Sequence, residues 1–378
     1  MSALKKISRR EFLKEGTQAC GACSLLLLPS MENINQARIQ SDFYEARYYE
    51  KLPNRKIRCL LCPRECVIDD QETGYCGVRE NYGGTYYTLV YGKPCSAHID
   101  PIEKKPLFHF LPGTNAFSIA TVGCNVLCKF CQNWQISQAR PDQIKSMDMP
   151  PEKVAEIASK NRCSSIAYTY TEPVIFTEYM YDSAQAGHKK NVKSVMISNG
   201  YINAEPMKDL CKVLDAVKID LKAFTEDFYQ KMLNGHLPPV LDTLILVKQE
   251  GIWLEIVYLV IPTLNDDADE LKKMCQWIMK ELGPDVPIHF SRFYPQYRLK
   301  NLPPTPVQTL DTAREIALDS GLHYAYIGNV PGHKGENTYC PNCQNLIIRR
   351  MGYTVVNNSI SEKNKCGNCG YKIAGLWE

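Results

Sequence analysis

The chain has 378 residues, 44% hydrophobic and 22% charged, enough apolar material for one large domain or roughly two to three smaller ones. Lys and Arg number 44 against 41 Asp and Glu, a net charge of +3, and this near balance argues against a nucleic-acid binder, which carries a strong basic excess. No apolar run reaches the ~20 residues of a membrane-spanning helix, so no transmembrane span is expected.

The N-terminus comes first. Ser8-Arg9-Arg10-Glu11-Phe12-Leu13-Lys14, followed by a modestly apolar stretch ending in Leu25 to Leu28, resembles a twin-arginine export signal. Residues 1–30 are therefore set apart as a signal-type segment and 31–50 as a linker, and Cys20 and Cys23 are incidental to the fold.

Cysteine usage is the outlier: of 17 cysteines, 11 fall in three tight groups, a pattern that suggests metal rather than disulfides in a long, enzyme-like chain. The first group lies in a small Cys-rich N-terminal module, 51–112: Cys59, Cys62, Cys66 and Cys76, spaced C-x2-C-x3-C-x9-C. Zinc and an auxiliary iron–sulfur cluster both suit four thiolates. Cys95 is assigned to a loop before the core, and Cys163, Cys211 and Cys275 lie beside apolar runs as buried small hydrophobes.

From 113 to 332 short β-rich runs alternate with helical patterns. Strands are predicted at 116–122, 164–170, 193–199, 215–221, 253–261, 288–293 and 323–328, with helices at 151–161, 205–214, 268–282 and 306–321. Repeated βα units imply an α/β fold with a parallel sheet, and so many in one run imply a full or partial barrel with its site at the C-terminal strand ends.

Several candidate residues sit at those ends. The second cysteine group, Cys124, Cys128 and Cys131, is spaced C-x3-C-x2-C and follows the first core strand. Three thiolates can hold a cubane iron–sulfur cluster with one iron left open, or zinc completed by a distant His or Cys. Glu172 follows the second strand, and Thr171 before Glu172 and Pro173 is placed to cap a helix. Ser198 and Asn199 end the third strand, Asp220 and Lys222 share one face at the end of the fourth, and His289 lies on the sixth. A lone strand histidine is usually a core residue, but its place near a strand end makes it a candidate.

The segment 333–378 holds the third group, Cys340, Cys343, Cys366 and Cys369, as C-P-N-C and C-G-N-C-G knuckles. It reads as a zinc-ribbon-like module, with rubredoxin-type iron as the alternative.

The C-x3-C-x2-C motif with an aromatic residue, Phe130, before its last cysteine resembles the radical S-adenosylmethionine (SAM) enzymes. The stretches DPIEKKPLFHFLPG, GCNVLCKFCQNWQISQ, DLKAF, HFSRF, YIGNVPGH and ENTYCPNC, in that order, resemble the radical enzyme of the AmmeMemoRadiSam system, a family related to glycyl-radical activating enzymes such as the pyruvate formate-lyase activase. The resemblance implies a partial (β/α)6-type barrel, a [4Fe–4S] cluster on Cys124, Cys128 and Cys131, and SAM bound near Phe130, Glu172, Ser198, Asn199, Asp220, Lys222 and His289. It further implies a flavodoxin- or ferredoxin-type electron donor, and Memo-like and AMMECR-like proteins as partners. Its activity would be reductive cleavage of SAM to a 5′-deoxyadenosyl radical that abstracts hydrogen from a substrate. A glycyl-radical activase and a non-catalytic iron–sulfur carrier or redox sensor are the alternatives. The signal-type segment points to export, whereas SAM and low-potential electrons are cytoplasmic supplies.

Overall fold

The computed structural model describes residues 44–361 and 363–378, so the twin-arginine segment, Cys20 and Cys23 lie outside the described residues. The core is one sheet of eight strands. In chain order they are β1 (Ser96–Pro101), β2 (Asn115–Ala120), β3 (Ser165–Tyr168), β4 (Lys193–Ser198), β5 (Ala216–Asp220), β6 (Trp253–Val260), β7 (Ile288–Arg292) and β8 (Ala325–Gly328). Each strand pairs with its sequence neighbour. The pairs from β2 to β8 are parallel, while β1 runs antiparallel to β2. The two edges, β1 and β8, do not pair, so the sheet is an incomplete barrel.

All seven predicted strands are present within two or three residues of their expected ends. They were legible because a parallel strand is covered on both faces and reads as a continuous apolar run; all four residues of β3 are buried. β1 was missed, since Ser96-Ala97-His98-Ile99-Asp100-Pro101 is polar and half exposed. Cys95, assigned to a loop, donates its backbone N–H to Ala120 at 2.8 Å and so continues this edge pairing.

Six helices pack outside the sheet: α1 (Pro151–Lys160), α2 (Thr177–His188), α3 (Ala204–Cys211), α4 (Pro238–Gln249), α5 (Ala268–Glu281) and α6 (Val307–Asp319). In α5 the cap is Asp267, whose carboxylate accepts from Glu270 N–H at 2.9 Å. Leu271, Met274, Cys275 and Ile278 then recur at i, i+3, i+4 and i+7 and are all buried.

The two small modules are built on the barrel. The N-terminal one has two three-stranded antiparallel sheets, one of Tyr49–Lys51, Ile57–Cys59 and Val67–Ile68, the other of Tyr44–Glu45, Thr85–Thr88 and Arg79–Tyr82. Arg79, fully buried, makes a two-pronged pair with Glu178 of α2 and donates to Ile175 O at 3.0 Å. The C-terminal module is a three-stranded hairpin sheet, Thr338–Tyr339, Leu346–Met351 and Thr354–Asn358. Its core is shared with the barrel: Cys340, Ile347, Cys366 and Ile373 pack with Phe108, Tyr324 and Tyr326. The DPIEKKPLFHFLPG stretch is the joint, since Leu111 N–H donates to Leu376 O at 2.7 Å and Leu376 N–H to His109 O at 2.8 Å.

Candidate functional site

The C-terminal ends of β2 to β7 surround a cavity of about 450 Å3. Cys124, Cys128, Phe130, Cys131, Glu172, Ser198, Asn199, Asp220 and Lys222 all line it. Residues spread over nearly 100 positions in sequence meet there because each closes a different βα unit.

The cysteine loop leaves β2 and ends in the short helix Trp134–Ser137. Its backbone is tied at several points, with Leu127 N–H to Leu233 O at 2.8 Å, Lys129 N–H to Met232 O at 3.0 Å and Gly123 N–H to Ile136 O at 2.9 Å. Asn125, buried, donates its amide to Tyr201 O at 2.7 Å. Phe130 is buried with its ring 6.0 Å from that of Phe228, and Cys131 Sγ lies 3.3 Å from Ser137 Oγ. Burial pushes the Cys128 thiol up to about 12, with Lys222 opposing, and also raises the Cys124 thiol well above its ordinary value. A cation at this place would displace those protons, because thiolate rather than thiol binds metal.

Among the described residues, only Cys340, Cys343, Cys366 and Cys369 bring three or more ligand atoms all within 4.8 Å of one another. The Cys124–Cys128–Cys131 sulfurs therefore include at least one wider pair. In the C-terminal set the contacts are 3.6 Å between Cys340 and Cys369 and 3.8 Å between Cys343 and Cys366. Bonds of ~2.3 Å around one tetrahedral zinc place sulfurs about 3.8 Å apart, so this set fits a single ion.

Glu172 is 2% exposed and is held by three donors: Ser198 Oγ at 2.6 Å, Asn199 N–H at 2.8 Å and Val174 N–H at 3.1 Å. Burial raises its carboxyl to about 7, although all three donors pull it down. Glu172, not Thr171, caps the 3-10 turn Pro173–Phe176; Thr171 instead donates its hydroxyl to Thr121 O at 2.8 Å. Asn199 amide bonds Asn125 Oδ1 at 2.9 Å, which ties the β4 end to the cysteine loop.

Asp220 sits between two lysines, bonding Lys222 Nζ at 2.7 Å and Lys218 Nζ on its other oxygen. Burial favours its neutral form, but the two ammonium groups outweigh that and lower it to about 2. Lys222 is raised by Asp220 against its burial, whereas burial lowers Lys218. Asp220 is thus an ionised carboxylate held between two lysine amines. Lys218 was missed by the sequence reading, yet the period-2 pattern of Lys218, Asp220 and Lys222 carried the signal.

Other lining residues were missed because they come from irregular backbone. Tyr170 has φ of +65°, a strained conformation for an aromatic residue, and its hydroxyl bonds Asp100, which also pairs with Lys105 at 2.6 Å. Tyr353, in the turn of the C-terminal hairpin, reaches the same cavity.

His289 departs from the expectation. It does not line the cavity but is buried in the barrel, its Nε2 2.7 Å from Glu255 Oε2. Glu255 also accepts from the backbone N–H groups of Phe108 and His109 at 3.0 and 2.8 Å, so His289 completes a satisfied core network. Two residues later on the same strand, Ser291 does line the cavity. The four N-terminal cysteines lie outside the cavity as well.

The chain is similar to several known proteins. The model of the radical SAM superfamily matches residues 118–278. MJ0808 of Methanocaldococcus jannaschii is 49% identical over 331 residues, spanning 87% of this chain and 98% of that protein. MJ0674 of the same organism is 25% identical over 282 residues, spanning 71% and 76%. Among solved structures, a radical SAM methyltransferase from Sphaerobacter thermophilus gives a TM-score of 0.48 at 12% identity, over 82% of this chain and 86% of that one.

Proposed function

Because the chain belongs to the radical SAM superfamily and is an enzyme of that kind, we propose that Cys124, Cys128 and Cys131 hold its [4Fe–4S] cluster and that SAM occupies the adjoining cavity. The observation that carries this reading is that three thiols, a buried carboxylate and a Lys–Asp–Lys group from three different strand ends line one cavity. A [4Fe–4S] cluster held by these three cysteines would supply one electron for reductive cleavage of SAM at its C5′–S bond, the chemistry that would let the enzyme take hydrogen from a substrate.

The chain's own residues bind and orient. Glu172, ionised, accepts a hydrogen bond from the ammonium of the methionine portion, and its three donors keep it aimed. Lys218 and Lys222 offer positive charge toward a carboxylate, while Asp220 offers an acceptor to a ribose hydroxyl. Phe130 and Val126 wall the cysteine loop and keep water from it. A closed electron carrier is disfavoured, because no fourth cysteine lines the cavity.

The C-terminal quartet holds a structural zinc, and a flavodoxin- or ferredoxin-type protein supplies the electron. For the substrate, a residue in a partner protein, as in glycyl-radical activation, suits a cavity whose rim includes Tyr353 of a separate surface module. Anaerobic reconstitution with SAM and reductant, followed by chromatography for 5′-deoxyadenosine, tests the reading. The unsubstituted protein forms it, and a Cys124→Ala/Cys128→Ala/Cys131→Ala variant does not; formation by the variant would sink the assignment. Transfer of deuterium from labelled candidates into 5′-deoxyadenosine identifies the substrate.

A further inference from the structure

Binding of SAM leaves one part of the cavity wall without a task. Lys104, Lys105, Tyr170, Ser291 and Asn329 line the same cavity as the cysteines. Lys104 and Lys105 follow β1 and Asn329 follows β8, so they come from the two unpaired edges of the incomplete barrel. Asp100 on β1 holds both lysines, accepting from Lys104 Nζ on Oδ1 at 2.8 Å and from Lys105 Nζ on Oδ2 at 2.6 Å. The Tyr170 hydroxyl donates to Oδ2 as well. The Lys105 ammonium lies 5.0 Å from the centre of the Tyr170 ring, and its side chain is only 1% exposed.

Two lysines share one carboxylate here. An ammonium has three N–H groups to donate, and among the described residues Asp100 is the one hydrogen-bond acceptor of each lysine. Burial lowers Lys105 to about 8 against the pull of Asp100, so it is mainly protonated at neutral pH. The trio therefore presents spare donors and a positive charge that Asp100 alone does not balance. Asp100 itself, with three donors on it, has little left to offer a cation. A structural ion pair is complete with one lysine per carboxylate. A single uncompensated charge matches a carboxylate, whereas a phosphate, carrying about −1.5 to −2, would leave excess negative charge in a largely buried place. Ile197, Val257 and Leu259 in the same wall suit the apolar body of an acid. We infer that the substrate carries a carboxylate, and that Lys104 and Lys105 bind it while Asp100 and Tyr170 position the two lysines.

This inference rests on the reading of the cavity as the SAM site, in which Lys218 and Lys222 face the carboxylate of SAM. Lys218, Asp220 and Lys222 repeat on β5 the arrangement of Lys104, Asp100 and Lys105, two lysines on one carboxylate. One cavity thus meets two such trios, and SAM has a single carboxylate to fill them, which leaves the other for the second reactant. The same cavity of about 450 Å3 must take both molecules, so the substrate presents a small acid or a single acidic side chain.

The test uses the full chain, reconstituted anaerobically and saturated with SAM, with butyrate as the probe and its uncharged amide, butyramide, as the control. Ligand-observed NMR follows both. We expect saturable binding of butyrate, binding of butyramide weaker by about tenfold or more, and a loss of about tenfold or more for butyrate in Lys104→Gln and in Lys105→Gln. Lys105→Arg should recover most of that loss. Equal binding of acid and amide, butyrate affinity unchanged in both Gln variants, or no saturable butyrate binding below about 50 mM would overturn the inference. So would butyrate binding that SAM abolishes, since the lysines would then belong to SAM, and so would inorganic phosphate binding about tenfold more tightly than butyrate. Should Lys105→Gln fail to fold, Lys104→Gln decides, because the Lys104 side chain is 43% exposed. A peptide with one internal glutamate is titrated alongside: tighter binding than butyrate assigns the carboxylate to a partner protein, weaker binding to a free acid, and either order supports the inference. Failure of the SAM reading is separate, and shows as no 5′-deoxyadenosine from the unsubstituted protein with SAM and reductant.

Discussion

Replacing Glu172 by Gln removes one charge from the cavity and almost no volume. In the native protein Glu172 Oε1 accepts from Ser198 Oγ and Val174 N–H, and Oε2 accepts from Asn199 N–H. A Gln can keep its oxygen toward the first two, but its NH2 then faces Asn199 N–H and leaves a buried donor unpaired. That costs about 1–3 kcal/mol. An unfolding entropy of about 0.7 kcal/mol/K for a folded unit of ~330 residues turns this into a Tm lower by about 1–4 °C. Binding of SAM loses a charge-assisted hydrogen bond of about 1.5–3 kcal/mol, so affinity falls about 10- to 150-fold. The pH dependence is a second signature. Burial holds the Glu172 carboxyl at about 7. Only the carboxylate pairs with an ammonium, so wild-type affinity drops about tenfold per unit below that pH, and the variant's profile is flat there. Stability carries the opposite sign: the native state keeps a proton that the unfolded chain releases, so the contribution present at low pH is lost as pH rises from the ordinary glutamate range through about 7. Anaerobic calorimetry of SAM binding across pH, with thermal melts, measures both. If the variant melts in the expected window yet binds SAM within about threefold of wild type, with the same pH profile, Glu172 does not contact the ammonium.

Gly123→Ala should destabilise the protein by at least about 1–3 kcal/mol and lower iron loading, because Gly123 has φ of +95° and an added Cβ meets Cys76 O at 2.7 Å; denaturant titration and iron counts check both. Arg79→Ala leaves Glu178 buried without its partner and should cost about 3–5 kcal/mol, whereas an unchanged urea midpoint would show that water reaches the pair. Cys343→Ser should remove about one zinc per chain and lower Tm while leaving iron content intact, because binding at such a site is largely folding free energy, on the order of 10 kcal/mol in zinc peptides. Deleting residues from 333 onward should do more harm than that point change, since it uncovers Phe108, Tyr324 and Tyr326 and removes Tyr353 from the cavity; melts of the two forms compare them.

The local chemistry was legible from the chain alone. Continuous apolar runs marked the parallel strands, i, i+3, i+4 spacing marked α5, and close cysteine spacing marked the quartet whose sulfurs the fold draws together, Cys340, Cys343, Cys366 and Cys369. Glu172, Ser198, Asn199, Asp220 and Lys222 were found because a βα fold places strand ends together, so position in the repeat already implied position in the cavity. Orientation at one position was not legible. His289 and Ser291 are two residues apart on β7, yet one ends in a core network and the other in the cavity, because Glu255 on the neighbouring strand supplies a partner that only the sheet brings near. Nor could spacing choose a metal. Cys59, Cys62, Cys66 and Cys76 and the C-terminal quartet are both four-thiol sets along the chain, and the 3.6 Å and 3.8 Å sulfur contacts that fit one ion in the second are a product of its fold. Sequence specifies which ligands are present and how far apart they lie along the chain. The distance between them in space, on which the bound group depends, is set by long-range packing of hairpins against a barrel.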